Sequence, residues 1–199
     1  MRQLLLDFTQ APAPTFANFV HGGNAELFQA LEAAARGELP EHVIYMWGES
    51  GAGKTHLATA LRQAVEGRPG VRVIDDVERL GEAEQEELFN AFIDRSFRFL
   101  LATASAAPRD VPIRRDLATR LATGLTYRVL PLTDEEKRTA LAAHARTRGF
   151  ALSEDVTAYL LTHARRDMGS LMAALDTLDR YSIETGRPIT VPLLKAAMQ

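Results

Sequence analysis

The chain has 199 residues, a net charge of −3, 46% hydrophobic and 25% charged residues, which fits one globular domain or a domain with a small appendage. It contains no cysteine, so disulfides and thiolate metal sites are excluded and a reducing cytoplasm is compatible. The charge argues against a surface that coats DNA generically, and the sequence offers neither a run of roughly 20 apolar residues for a membrane helix nor a secretion signal. A cytoplasmic protein with no membrane partner is expected.

Taken in order, MRQLLLDF opens the chain and runs into TQAPAPTF, linker-like over about residues 9–15. In the stretch that follows, Asn24 is placed to cap a helix carrying Leu27, Phe28, Leu31 and Ala34 on one face. HVIYMWG, bounded by Gly48, reads as a strand buried on both faces. A helix is expected from about Lys54, with Leu57 and Leu61 at helical spacing, to near Gly67. The turn GRPG then feeds a second strand, VRVIDD, which ends in two acids. GEAEQEELFNAFIDRSF sets Leu88, Phe89, Phe92 and Ile93 on one helical face. FRFLLATAS reads as a third strand and GLTYRVLPL as a fourth, and strands alternating with helices predict an α/β layer on a parallel sheet.

From Pro131 the strand signals stop. Thr133 and Glu136 form a capping box for a helix ending at Gly149. Ser153 caps the next helix, with Glu154 and Asp155 in its first turn and Val156, Tyr159 and Leu160 inward. A third helix carries Met168, Leu171, Leu175 and Leu178, and a fourth, after Thr190, carries Leu193, Leu194 and Ala197. The expected organisation is a tail and linker at 1–15, an α/β nucleotide-binding domain at 16–131 and an all-helical domain at 132–199.

The strongest chemical signal is GESGAGKT: Gly48, Glu49, Ser50, Gly51, Ala52, Gly53, Lys54 and Thr55 match G-x-x-x-x-G-K-[ST] in full. It leaves a buried strand and opens a helix, so backbone N–H groups can turn around phosphate oxygens at the helix's positive end. Lys54 is expected to reach the β and γ phosphates of ADP or ATP, and Thr55 to hold Mg²⁺; His56, next on the same helix turn, is counted among the nucleotide-binding residues. A Gly-rich turn that binds nothing is the bland alternative. At the end of VRVIDD, Asp75 is placed for the Mg²⁺ shell and Asp76 to orient or deprotonate the attacking water. The alternative is an Asp pair that only caps the next turn. Asp is shorter than the Glu common at that second position, so slow hydrolysis is expected.

TFANFVHGGN, GESGAGKTHL, VIDDVERL and ATRLATGLTYRVLPLTDEEK together resemble the AAA+ ATPases of the DnaA type. The tail RGFALSEDVTAYLLTHARRDMGSLMAALDTLDRYS is similar, more narrowly, to the regulatory-inactivator (Hda) branch of that family. The resemblance implies an AAA+ base domain with a shortened sheet and a helical lid. It implies that Arg120 is an arginine finger reaching a neighbouring subunit's nucleotide, where a solvated arginine beside Arg114 and Arg115 is the alternative. By the same resemblance Arg166, with Arg165 as the fallback, is the lid arginine on the nucleotide's phosphates. Thr103 stands where the family senses the γ-phosphate, although a strand-end hydroxyl bonded to backbone fits as well. Phe16, Phe19 and Val20 are expected to frame the base pocket, and core packing would demand the same residue types.

One departure matters. DnaA-type modules carry a further strand and helix between the P-loop helix and the acid-bearing strand; here only GRPG intervenes. VRVIDD is therefore expected at a sheet edge, and the family's contacts to single-stranded DNA in the missing part are expected to be lost. With the charge and no helix-turn-helix domain before Gln199, this weighs against a replication initiator.

RQLLLDF resembles the short peptide with which replication proteins dock on the sliding clamp, the β subunit of DNA polymerase III. Gln3 would bond at the pocket rim, with Leu4 beside it and Leu6 and Phe8 as apolar anchors. A strand added to the protein's own sheet, or a frayed end, are the alternatives. The expected function is an inhibitor of replication initiation that, with the clamp on DNA, makes DnaA hydrolyse its ATP; the resemblance implies that the ADP-bound form is active. The alternative is a helicase-loader or clamp-loader-like ATPase working through its own cycle. Nucleotide-dependent self-association is left open.

Overall fold

The structure, a computed structural model, describes residues 13–165 and 167–197. Contacts divide the chain so that Pro14–Pro131 forms one compact unit and Leu132–Gln199 belongs to another.

In the first unit the apolar runs become strands: β1 (Val43–Trp47), β2 (Val71–Ile74), β3 (Phe99–Ala104) and β4 (Leu125–Arg128). All pairings are parallel and the order is β2-β3-β1-β4. Strands buried on both faces explain why HVIYMW and FLLATA read as unbroken apolar runs. Side chains alternate between two cores. Ile44, Met46 and Leu101 pack against α1 (Ala25–Arg36) and α2 (Lys54–Ala64) through Leu31, Leu57 and Leu61. Val43, Tyr45 and Leu100 pack against α3 (Glu82–Ile93) and α4 (Arg115–Leu121) through Leu88, Leu117 and Leu121. Burial of each of the large side chains among these contributes about 1.5–3 kcal/mol.

β2 lies at one edge, as the GRPG connection predicts, and all four of its residues are only half-buried. Two arginines dress that edge: Arg62 of α2 donates to the Val73 carbonyl at 3.3 Å, and Arg72 pairs with Glu87 at 3.5 Å. Charge there opposes pairing with a foreign strand.

Three local expectations change. The Asn24 side chain makes no capping bond to α1. It is buried and exchanges two bonds with Leu130, donating to its carbonyl at 2.9 Å and accepting its N–H at 2.7 Å. The Leu130 N–H and C=O lie beyond the end of β4, and the buried Asn side chain supplies both a donor and an acceptor for them. On α3, Leu88 is buried and Phe89 and Phe92 are half-buried, but Ile93 is 54% exposed, and Gln85 takes an inner position. Gln85 donates to Leu80 O at 2.9 Å and accepts from Arg114 N at 2.9 Å, joining α3 to the start of α4. Finally, the sequence pattern gives no element between β3 and β4, where the structure has α4, whose seven residues bury Leu117, Ala118 and Leu121.

The second unit is helical: α5 (Asp134–Thr147), α6 (Glu154–His163), α7 (Met168–Thr185) and α8 (Val191–Ala197). Thr133 and Glu136 make the expected capping box and Ser153 caps α6. Leu141, Leu160, Leu171, Leu175 and Leu194 meet in one core. His144 and Arg148 both hold Asp176, at 2.6 and 2.8 Å, fastening α5 to α7.

Candidate nucleotide-binding site

The P-loop leaves β1 at the C-terminal ends of the strands and enters α2 at Lys54. Gly48 is required by close approach, because a Cβ there would lie 2.6 Å from the Val129 carbonyl oxygen. Gly53 is required twice over: its φ is 105°, a left-handed value, and a Cβ would stand 3.0 Å from Cε2 of Phe19. Glu49, Ser50 and Gly51 are exposed, and Ala52 is buried. Arg128 of β4 steadies the loop's outer side, pairing with Glu49 at 3.8 Å while its guanidinium lies 5.4 Å from the centre of a Trp47 ring.

Lys54 is buried, and its ammonium donates to the Gly48 and Glu49 carbonyls at 2.7 and 3.0 Å. The loop thus curls around the lysine's charge. Thr55 is exposed on the first turn of α2. The ring of His56 points back to the preceding segment, with Nε2 2.9 Å from Thr15 O. Phe19 lies beside Gly53 and stacks on Phe28 at 5.9 Å, Phe16 meets Phe28 edge-on at 5.6 Å, and Val20 is half-buried.

The acids beyond β2 are tied to β3. Thr103, fully buried, donates to Asp75 Oδ1 at 2.6 Å and accepts the Asp76 N–H at 2.8 Å. Its hydroxyl is thus committed to the acid pair, and part of its bonding is to backbone, as the alternative reading had it. The Gly48 N–H reaches Ala104 O at 3.3 Å, so the P-loop and these acids meet at the end of β3. Asp76 has φ 54°, left-handed for a residue with a side chain, and its carboxylate pairs with Arg79 at 3.2 Å. Such a backbone costs about 1–3 kcal/mol and persists where neighbours fix it; here the Thr103 hydroxyl holds its N–H.

Sequence reasoning missed Arg79 and Glu78, which follow on the same 3₁₀ turn. The spacing of Asp76 and Arg79, three apart, was the available signal. Glu78 accepts the Ser105 N–H at 2.7 Å and leaves its Oε2 buried without a partner among the described residues. Tyr45 nearby is held protonated, its pKa raised by burial first and by the charge of Glu78 second, and it donates to Ala106 O at 2.8 Å.

The remaining candidates lie on other elements. Arg120 is exposed on α4. Arg114, by contrast, is engaged, pairing with Asp116 at 2.8 Å and lying 5.5 Å over the Phe89 ring. Arg165 is exposed and pairs with Asp167 at 3.6 Å. Arg166 and the docking-peptide candidates Gln3, Leu4, Leu6 and Phe8 lie outside the described residues. Among the described residues no group of three or more His, Cys, Asp or Glu side chains is placed to hold a metal ion.

Residues 134–198 match the family model described as Hda, lid domain. Over the whole chain the fold is similar to domain III of the Thermotoga maritima replication initiation protein DnaA, with a TM-score of 0.71 and 22% identity, covering 94% of this chain and 95% of that one. AMPPCP-bound DnaA from Aquifex aeolicus is similar at TM-score 0.66 and 18% identity, covering 88% of this chain and 67% of that one. The Thermotoga maritima RuvB Holliday junction branch migration motor follows at TM-score 0.64 and 17% identity, covering 87% and 66%. The fold is therefore similar to that of these DnaA and RuvB structures, an α/β unit on a parallel sheet and a helical unit, and the resemblance of the tail to Hda holds over residues 134–198.

Proposed function

We propose that this chain is an Hda-like regulatory partner of DnaA: held by a bound nucleotide, it offers Arg120 to ATP on DnaA and accelerates its hydrolysis while docked on the sliding clamp. The observation that carries the reading is the Hda lid match over 134–198 on a chain whose base unit keeps a complete P-loop. In this reading residues 1–15 are the docking tail, 16–131 the base domain and 132–199 the lid.

Phosphates of ADP or ATP are taken by the loop from Gly48 to Gly53 and by Lys54, whose ammonium already lies against that loop. Phe16, Phe19 and Val20 would face the base, and the family resemblance gives Arg166, or Arg165, the role of the arginine on the nucleotide's phosphates. The donors available for Mg²⁺, the Thr55 hydroxyl and the Asp75 carboxylate, are hard oxygens of the kind that ion takes. Once bound, the ion supplies positive charge beside the phosphates. Thr103 holds Asp75 in place. Asp76 is the acid that would orient water, and its pairing with Arg79 supports slow turnover by this chain itself.

Arg120, exposed on α4, would neutralise charge on the phosphoryl group of a neighbouring DnaA, an effect worth about 10³–10⁵ in rate where such fingers operate. Contact with DNA is indirect, through the clamp, in keeping with the shortened sheet and the charge of −3. No helix among the described residues is long and apolar enough to cross a membrane.

The experiment measures clamp capture and nucleotide turnover together. Gln3→Ala with Leu6→Ala is expected to abolish clamp binding and leave ADP binding intact. Rapid ATP turnover by the isolated chain, stimulated by single-stranded DNA, would instead support the loader-type alternative.

A further inference from the structure

His56 sits directly after the P-loop's Lys54 and Thr55, yet its ring serves the segment before α1. Nε2 lies 2.9 Å from the carbonyl oxygen of Thr15, 41 residues away in sequence. A carbonyl only accepts, so Nε2 carries the hydrogen; both the neutral Nε2–H tautomer and the charged ring can make this bond. The same ring lies 5.3 Å from that of Phe19.

Thr15 is the anchor of a small structure. It shares a capping box with Asn18, through bonds of 2.8 and 3.3 Å, and the Phe19 N–H returns to Phe16 O at 3.3 Å. A bond at Thr15 O therefore fixes the whole turn, and the turn sets Phe19 against Gly53 of the loop. Phe19 and Phe16 then rest on the same ring, Phe28 of α1.

We infer that His56 is a positioning residue: its Nε2–H pins the Thr15–Phe19 turn beside the P-loop, so that Phe16 and Phe19 form a ready-made wall for the base of a nucleoside diphosphate. The inference rests on the nucleotide-binding reading above. It divides the site into a phosphate half, set by the loop and Lys54, and a base half, set by a bond from the first turn of the loop's own helix. A wall ordered before binding spares the ligand the entropy of ordering it.

Gln and Asn separate this role from packing, because the Gln amide N–H reaches where Nε2 stands and the Asn amide reaches only as far as Nδ1. Calorimetry would compare ADP and inorganic tripolyphosphate on the full chain, for wild type, His56→Gln, His56→Asn and Lys54→Ala. Melting curves would confirm that each variant folds, and hydrogen exchange would follow the Phe16–Phe19 amides. His56→Asn is expected to weaken ADP about 5- to 10-fold, the size of one lost hydrogen bond, to leave tripolyphosphate within about twofold and to speed exchange at the turn. His56→Gln should recover most of the ADP affinity. Equal loss for both ligands, no loss with Asn, or no rescue by Gln would overturn the inference while ADP binding itself stood. Failure of the wild type to bind either ligand would overturn the nucleotide reading, and this inference with it.

Discussion

Lys54 and Gly48 place opposite demands on the same loop, one for charge and one for the absence of a side chain. Lys54→Ala removes the ammonium from two carbonyls and is expected to weaken ADP by about 10- to 100-fold in calorimetry, the loss of charge-assisted bonds to phosphate. Gly48→Ala forces a methyl to 2.6 Å from the Val129 oxygen, so strand β4 or the loop must shift. A loss of about 1–3 kcal/mol in denaturant melts is expected. Arg79→Ala frees the Asp76 carboxylate from an exposed pair. Since such pairs hold weakly, turnover by the isolated chain should rise only about two- to fivefold, read by phosphate release. The loop's glycines and lysine were legible in the sequence because a tight turn with close backbone approach fixes both residue types and spacing. The Asp76–Arg79 pair showed only as a spacing of three, its contact depending on a left-handed turn, and the His56–Thr15 bond was not legible because it joins residues 41 apart.

Elements followed their periodicity wherever burial decided their residues. β1 and β3, buried on both faces, are the apolar runs the sequence displays. The reading weakened where a polar residue does inner work: Gln85 and Asn24 are buried because each satisfies main-chain groups of another element. Caps in the helical unit were readable because their spacing is local. The Glu136 carboxylate accepts the Thr133 N–H at 2.7 Å and the Thr133 hydroxyl at 2.9 Å, and these bonds, the backbone one first, hold its pKa below the ordinary value. A lowered folded pKa stabilises the fold above the unfolded value and loses that contribution as pH falls through the folded one. Hydrogen exchange at the start of α5 is therefore expected to be slow at neutral pH and to lose its protection relative to Glu136→Ala only below the usual carboxylate range. Thr133→Ala should cost about 1 kcal/mol of helical-unit stability at neutral pH.

For the molecule as a whole, the short GRPG turn leaves β2 at the sheet edge, with Arg62 and Arg72 along it. The four-stranded sheet still brings the P-loop and the acids of β2 together at the end of β3. The action we propose on a partner rests on Arg120, and α4, which carries it, is an element the sequence pattern did not announce. A seven-residue helix with three buried residues offers too few turns for periodicity to register. The most direct test follows hydrolysis of labelled ATP bound to DnaA, with clamp loaded on DNA and this chain added as wild type or as Arg120→Ala. The account predicts strong stimulation by the wild type and near-complete loss with Arg120→Ala, while ADP binding by the variant is unchanged. Stimulation by Arg120→Ala equal to that of the wild type, or none by either, would contradict it.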